Sequence, residues 1–175
     1  EPMDVALNCV RDLPGSAMLA ALKEAVPALR PEVQGLVLYA LAARGDHAAA
    51  PVAATLLGSP TETVRTAAAA ALGYIGSAEN CDALAAAAAD GGLLGQAAAK
   101  ALSRMPGSGI NERLLDTLRG DAPTVSKTAI LDALVAREAT LCVPVLLGLV
   151  KTTTDGDLQR AQWKALRGLA APADL

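Results

Sequence analysis

Phenylalanine is absent from the 175 residues, tryptophan occurs once and tyrosine twice, so aromatics make up only 2% of the chain. Strands favour aromatic and β-branched side chains, and this scarcity argues against a large β-sandwich. Clustered positive charge is missing as well. Fifteen Lys and Arg stand against eighteen Asp and Glu, a formal net charge of −3, and charged stretches such as Glu112–Arg113 and Asp157–Arg160 alternate in sign. Nucleic-acid binders carry a net basic footprint of clustered Lys and Arg, so that partner class is disfavoured. The three cysteines, Cys9, Cys81 and Cys142, are too few and too far apart for a disulfide framework, and no CxxC or His-Cys cluster accompanies them. They read as small apolar core residues. Membrane insertion is not expected, because an uncharged run such as Thr66–Ala78 falls far short of the ~20 apolar residues needed to span a bilayer and is broken by Gly73 and Gly76. The chain starts at Glu1 without a basic, apolar leader, and is expected to be processed or cut from a longer protein.

What the chain does have is small and aliphatic. Forty Ala and twenty-eight Leu together make 68 of the 175 residues. Ala and Leu are the strongest helix formers, and disorder is excluded because disordered segments are poor in apolar side chains. An Ala-Leu pair recurs at Ala40-Leu41, Ala71-Leu72, Ala101-Leu102, Ala133-Leu134 and Ala165-Leu166, with the leucines spaced by 31, 30, 32 and 32 residues. Eight residues before four of these leucines stands another aliphatic residue, namely Val33, Val64, Leu94 and Leu158. Residues i and i+8 share one face of a helix, so each unit carries an apolar stripe. The fourth unit is read as one residue out of step, with Val125 nine before Leu134, through a local insertion or a shifted cap.

The connecting segments repeat too. Arg44-Gly45-Asp46-His47-Ala48-Ala49-Ala50-Pro51-Val52 aligns without gaps on Arg137-Glu138-Ala139-Thr140-Leu141-Cys142-Val143-Pro144-Val145, an offset of 93 residues. Pro51 and Pro144 fall early in second helices, where first-turn N–H groups lack helical partners and proline costs little. Pro31, Pro60 and Pro123 sit at or just before the starts of first helices, and Gly45, Gly76 and Gly107 lie just past their ends. This punctuation predicts first helices at 31–44, 61–75, 92–104, 123–136 and 156–169. It predicts second helices at 47–57, 79–89, 110–119 and 140–151, with one near 16–28 as the second helix of an earlier unit and one over 3–12 as that unit's first. Helix pairs too small to bury their own stripes must stack, which gives an all-α, right-handed α-solenoid of about five units. Residues 1–175 form a single domain in this reading, part of a longer array, with 1–29 an atypical N-terminal unit and 30–170 clear repeats.

No catalytic, cofactor-binding or metal-binding residue is nominated. The single His47 aligns with Thr140 and reads as an N-cap or exposed turn residue. One histidine and scattered cysteines cannot assemble a zinc site, and HExxH, GxSxG and GxxxxGK[ST] patterns are missing. Gly91-Gly92 and Gly107-Ser108-Gly109 read as turns between helices. The carboxylate pair Glu112 and Asp116, flanked by Arg113 and Arg119, reads as solvated helix surface.

Two stretches, Pro60-Thr-Glu-Thr-Val64-Arg65 through Ala70-Ala71-Leu72-Gly73-Tyr74-Ile75-Gly76 and Asp157-Leu158-Gln159-Arg160-Ala161 through Ala165-Leu166, resemble HEAT repeats of the short bacterial type, also called PBS-lyase HEAT-like repeats. The resemblance covers about residues 30–170. It implies an armadillo-like solenoid and, for function, a non-catalytic interaction scaffold whose second helices line a concave surface for a protein or peptide partner. Val143-Pro-Val-Leu-Leu147 and the closing Gly168–Leu175 segment are similar to repeats in large secreted bacterial proteins. That likeness implies an accessory or spacer module of a secreted carbohydrate-active or other multidomain enzyme, in a periplasmic or extracellular setting, with the cytoplasm as the alternative. A bilin-lyase-like enzyme component is the remaining alternative. The paired His-Glu motifs of HEAT-like iron hydroxylases are missing here. So is the basic, aromatic-rich surface of HEAT-like DNA glycosylases.

Overall fold

The computed structural model describes residues 16–170, and 81% of these are helical, with no strand among them. Ten α-helices follow one another: α1 Ser16–Ala25, α2 Pro31–Arg44, α3 Ala50–Leu56, α4 Glu62–Ile75, α5 Cys81–Ala89, α6 Gly92–Arg104, α7 Ile110–Arg119, α8 Thr124–Ala136, α9 Val143–Thr152 and α10 Gly156–Leu169. The first helices α2, α6 and α10 have the predicted limits, and α4 and α8 start one residue late. The helix proposed over 3–12 lies outside the described residues.

Local chemistry accounts for these limits. Pro31 opens α2 in the first turn, where its missing N–H costs nothing. Gly45 closes that helix in the left-handed region at φ 65, and its N–H donates to the Ala42 carbonyl. Three of the second helices are entered through a single 3₁₀ turn, at His47–Ala49, Ala78–Asn80 and Thr140–Cys142. Pro51 and Pro144 then occupy the first turns of α3 and α9, as their alignment predicted. Glu138, the counterpart of Gly45, adopts the same left-handed backbone at φ 52, the only non-glycine residue among those described to do so.

Burial follows the Ala-Leu register. Leu41, Leu72, Leu102, Leu134 and Leu166 are all completely buried, and one continuous apolar core runs through the array. Each first helix packs on the next, α2 on α4, α4 on α6, α6 on α8 and α8 on α10, while α3, α5, α7 and α9 each pack on the first helix that follows. Small residues permit the closest approaches. A Cβ on Gly73 of α4 would lie 2.9 Å from the Ala101 Cα of α6, and one on Gly95 of α6 would lie 3.0 Å from the Ala88 carbonyl oxygen of α5. Cys81 and Cys142 are free thiols buried in this core, as expected. Burial, with the nearby Asp82 carboxylate adding to it, pushes the Cys81 thiol up to about 11.

The fourth unit corrects one expectation. It is in step with the others: Ser126, eight residues before Leu134, is 1% exposed, whereas Val125 points into solvent. Ser126 therefore occupies the place of Val64 and Leu94, and its hydroxyl has no hydrogen-bond partner. Ile130, Leu131 and Leu134 are all buried on the same helix, and their combined burial fixes its rotation. Exposing Val125 and burying one serine costs less than turning those three outward.

Candidate interaction surface

The two rows of helices are held differently. The first-helix row is tied by long side chains reaching across unit boundaries. Arg104 of α6 donates to the Ala70 carbonyl of α4 at 2.9 Å and to the Tyr74 hydroxyl at 3.2 Å, and its guanidinium stacks 4.0 Å over the Tyr74 ring. Arg137, just past α8, donates to the Met105 carbonyl at 2.8 Å, to the Leu102 carbonyl at 3.2 Å and to Asn111 Oδ1 at 2.7 Å. It places a cation at the C-terminus of α6, where the helix dipole and unpaired carbonyls favour one. Lys164 of α10 pairs with Asp132 of α8 at 2.9 Å, and Thr124 donates to Asp155 at 2.7 Å. That hydroxyl, together with the Leu158 and Asp157 amides, holds the Asp155 carboxyl below its ordinary range.

His47 makes a similar tie. It is exposed in a turn, as expected, but it is not an N-cap: Asp46 caps the turn by accepting from the Ala48 amide at 3.0 Å. His47 Nδ1 lies 3.1 Å from the Ile75 carbonyl oxygen, an acceptor only, so this nitrogen donates and locks the turn to the end of α4.

A second recurring device went unread in the sequence. Seven residues before the register leucine stand Gln34, Arg65 and Gln159. The Gln34 amide donates to the carbonyls of Val26, Pro27 and Leu29 at 3.0–3.1 Å. Gln159 donates to the Val150 carbonyl at 3.2 Å, and Arg65 reaches the Ser59 carbonyl at 3.4 Å. Each satisfies carbonyls left free where the preceding helix ends. The signal available was the recurrence of a long polar side chain immediately after the aliphatic position of the stripe.

The second-helix row is more open. Between α3 and α5 runs a groove of about 370 Å³, floored by Ala54, Leu57, Ala83, Ala86, Ala87 and Leu94 and edged by Gly58, Arg65 and Asp90. It shares Ala54 with a neighbouring groove of about 430 Å³ lined by His47, Ala48, Pro51, Ser77, Glu79 and Asn80, among others. Further along, the row becomes charged. On α7, Asp116 pairs with Arg119 at 2.9 Å, while Arg113 turns away to pair with Asp82 of α5. Thr117 donates to the same Asp82 at 2.6 Å. Burial raises the Asp82 carboxyl, but these hydrogen bonds and the Arg113 charge outweigh it and leave the group below its ordinary range. Glu112 and Asp116 are both exposed, the solvated helix surface expected of them.

Among the described residues no three His, Cys, Asp or Glu side chains converge as a metal site would require, and no helix is long and apolar enough to cross a membrane. What the geometry offers is surface: an open, small-residue groove on a row of helices whose opposite row is stitched shut.

Stacked helix pairs in register, first helix on first helix, define an α-solenoid. The family model for HEAT repeats matches residues 18–103, from α1 almost to the end of α6. Over that segment the chain is similar to the HEAT-repeat family, and the same arrangement of helix pairs continues beyond it to Leu169. No curated protein matches it.

Proposed function

We propose that the chain is a non-catalytic interaction scaffold that holds a protein or peptide along its second-helix row, the concave side of the curved array. The observation that carries this reading is the groove between α3 and α5, where Ala54, Ala83 and Ala86 leave room on the surface that larger side chains would fill. HEAT repeats commonly serve as protein-interaction scaffolds, which agrees with it. A solenoid presents such grooves side by side and so favours extended partners that engage several units at once. Alanine floors suit a bound backbone or helix, because a small side chain keeps the surface apolar yet lets the partner approach closely.

The test is selection of displayed random peptides on the folded chain, followed by affinity measurement on Ala54→Arg and Ala86→Arg variants. Peptides that bind the parent chain and lose binding on both variants support the reading. Failure to select any peptide, or binding indifferent to both substitutions, overturns it.

A further inference from the structure

We propose that the α3–α5 groove is a site for an acidic peptide, with Arg65 as the anchor for a carboxylate. This rests on the reading of the groove as a binding surface and adds the chemistry of what fills it.

The argument starts from what Arg65 does not do. At the equivalent position Gln34 satisfies its amide with three carbonyls at 3.0–3.1 Å. Arg65 carries five N–H donors and a full charge, yet makes one hydrogen bond, to the Ser59 carbonyl at 3.4 Å. Its Nε is shut off from solvent and has no partner. Capping the end of α3 needs only an amide, as its glutamine counterparts demonstrate, so the cation is surplus to that task. The side chain also lines the groove.

Asp90 edges the same groove, and the two do not pair with each other: no ion pair joins them within 4.0 Å. Which charge decides the ligand follows from burial. Asp90 is exposed, so water already satisfies it, and an exposed ion pair gains little. Arg65 is partly buried with a donor cut off from water, a desolvation cost that nothing in the chain compensates. A carboxylate in the groove, bonded to the remaining guanidinium N–H groups, sets an opposite charge beside the partly buried cation and offsets that cost without reaching Nε. The ligand class is therefore a peptide with an aspartate or glutamate above Arg65 and small apolar contacts along Ala83 and Ala86.

The experiment takes displayed random peptides that bind the full chain and lose binding on Ala86→Gln, a bulkier neutral substitution that defines groove ligands independently of charge. Their affinities are measured on Arg65→Gln, a substitution the array already uses at this position, with thermal unfolding as a check on fold. Groove ligands should share an acidic residue and weaken about tenfold or more on Arg65→Gln. Changing that residue to its amide should weaken binding on the parent chain and not on the variant. Asp90→Asn should leave the peptides bound at least as tightly. Groove ligands that bind Arg65→Gln as well as the parent overturn the proposal and leave the scaffold reading standing. The absence of any groove ligand overturns both.

Discussion

Replacing Gly73 with alanine should destabilise the array, against the usual benefit of alanine in a helix. Gly73 lies in the last turn of α4, where that helix meets α6 most closely. A Cβ built there would stand 2.6 Å from Arg104 Nε, 2.9 Å from the Ala101 Cα and 3.1 Å from the Ala101 Cβ. The Arg104 contact is the flexible one and can move, but moving it endangers the bonds to the Ala70 carbonyl and the Tyr74 hydroxyl. The Ala101 backbone cannot move without separating the helices. Overpacking costs about 1–3 kcal/mol, and loss of a charged hydrogen bond about 1.5–3 kcal/mol. Against these, alanine gains roughly 1 kcal/mol over glycine in helix propensity and unfolded-chain entropy. The net expectation is a loss of about 1.5–5 kcal/mol from these combined terms.

Gly35 of α2 supplies the matched control, since a Cβ there meets nothing within 4 Å. Gly35→Ala should therefore stabilise by roughly 0.5–1 kcal/mol. Denaturant unfolding followed by circular dichroism measures both variants. Because units in a stacked array couple mainly to their neighbours, Gly73→Ala should also broaden the transition as the two sides of the α4–α6 interface begin to unfold separately. A Gly73→Ala variant as stable as the parent, or a Gly35→Ala variant equally damaged, would refute the assignment of this contact as the tight point of the stack.

Three further outcomes are expected. Glu138→Gly should raise stability by about 0.5–1 kcal/mol and the melting temperature by a few degrees, since a left-handed backbone strains any residue with a Cβ; an unchanged or lowered melting temperature would count against the φ of 52 assigned there. Ser126→Ala should stabilise by about 1 kcal/mol, because it removes a buried hydroxyl with no partner, and a loss on denaturation would mean the hydroxyl is bonded after all. Cys81 keeps its proton in the folded chain up to about 11 while the unfolded thiol loses it near 9.0, so stability should be undiminished below pH 9 and fall by on the order of 2 kcal/mol between pH 9 and 11. A Cys81→Ala variant that keeps the same alkaline slope would exclude this thiol as its source.

The first helices were legible almost to the residue because two independent signals agreed on them. The Ala-Leu register marked the buried face, and Pro31, Pro123 and Gly45 marked the ends by their effect on backbone geometry alone. Val125 shows where such reading fails. Searching for the nearest aliphatic residue treats each position separately, whereas a helix rotates as one body, and Ile130, Leu131 and Leu134 outvote a single valine. His47 was legible only in part: its alignment with Thr140 located the exposed turn, but the cap is the preceding Asp46, and the partner of His47, the Ile75 carbonyl, is 28 residues away. Tertiary partners of that kind leave no mark in local pattern. The α3–α5 groove was foreshadowed only by the alanine-rich composition of the helices that flank it, since empty space between helices belongs to their spacing and not to either sequence.

The spacing itself has a cause that connects fold to function. Along the first-helix row, a Cβ added at Gly73 would stand 2.9 Å from the Ala101 Cα and one added at Gly168 3.0 Å from Val135 Cγ1, so the row is packed too closely there for any larger residue. Arg104, Arg137 and Lys164 prevent it from opening. The row therefore acts as a fixed spine. The second helices, seven to ten residues long in α3, α5, α7 and α9, hang from it by packing on the following first helix. Where α5 and α7 meet, Asp82, Arg113 and Thr117 bridge the gap. Between α3 and α5 no side-chain hydrogen bond or ion pair joins the helices, and the groove lies there. A partner seated in it would supply the cross-unit contact that the chain supplies for itself one unit further on, and binding would then stiffen the array at a boundary where its second row has no side-chain tie of its own.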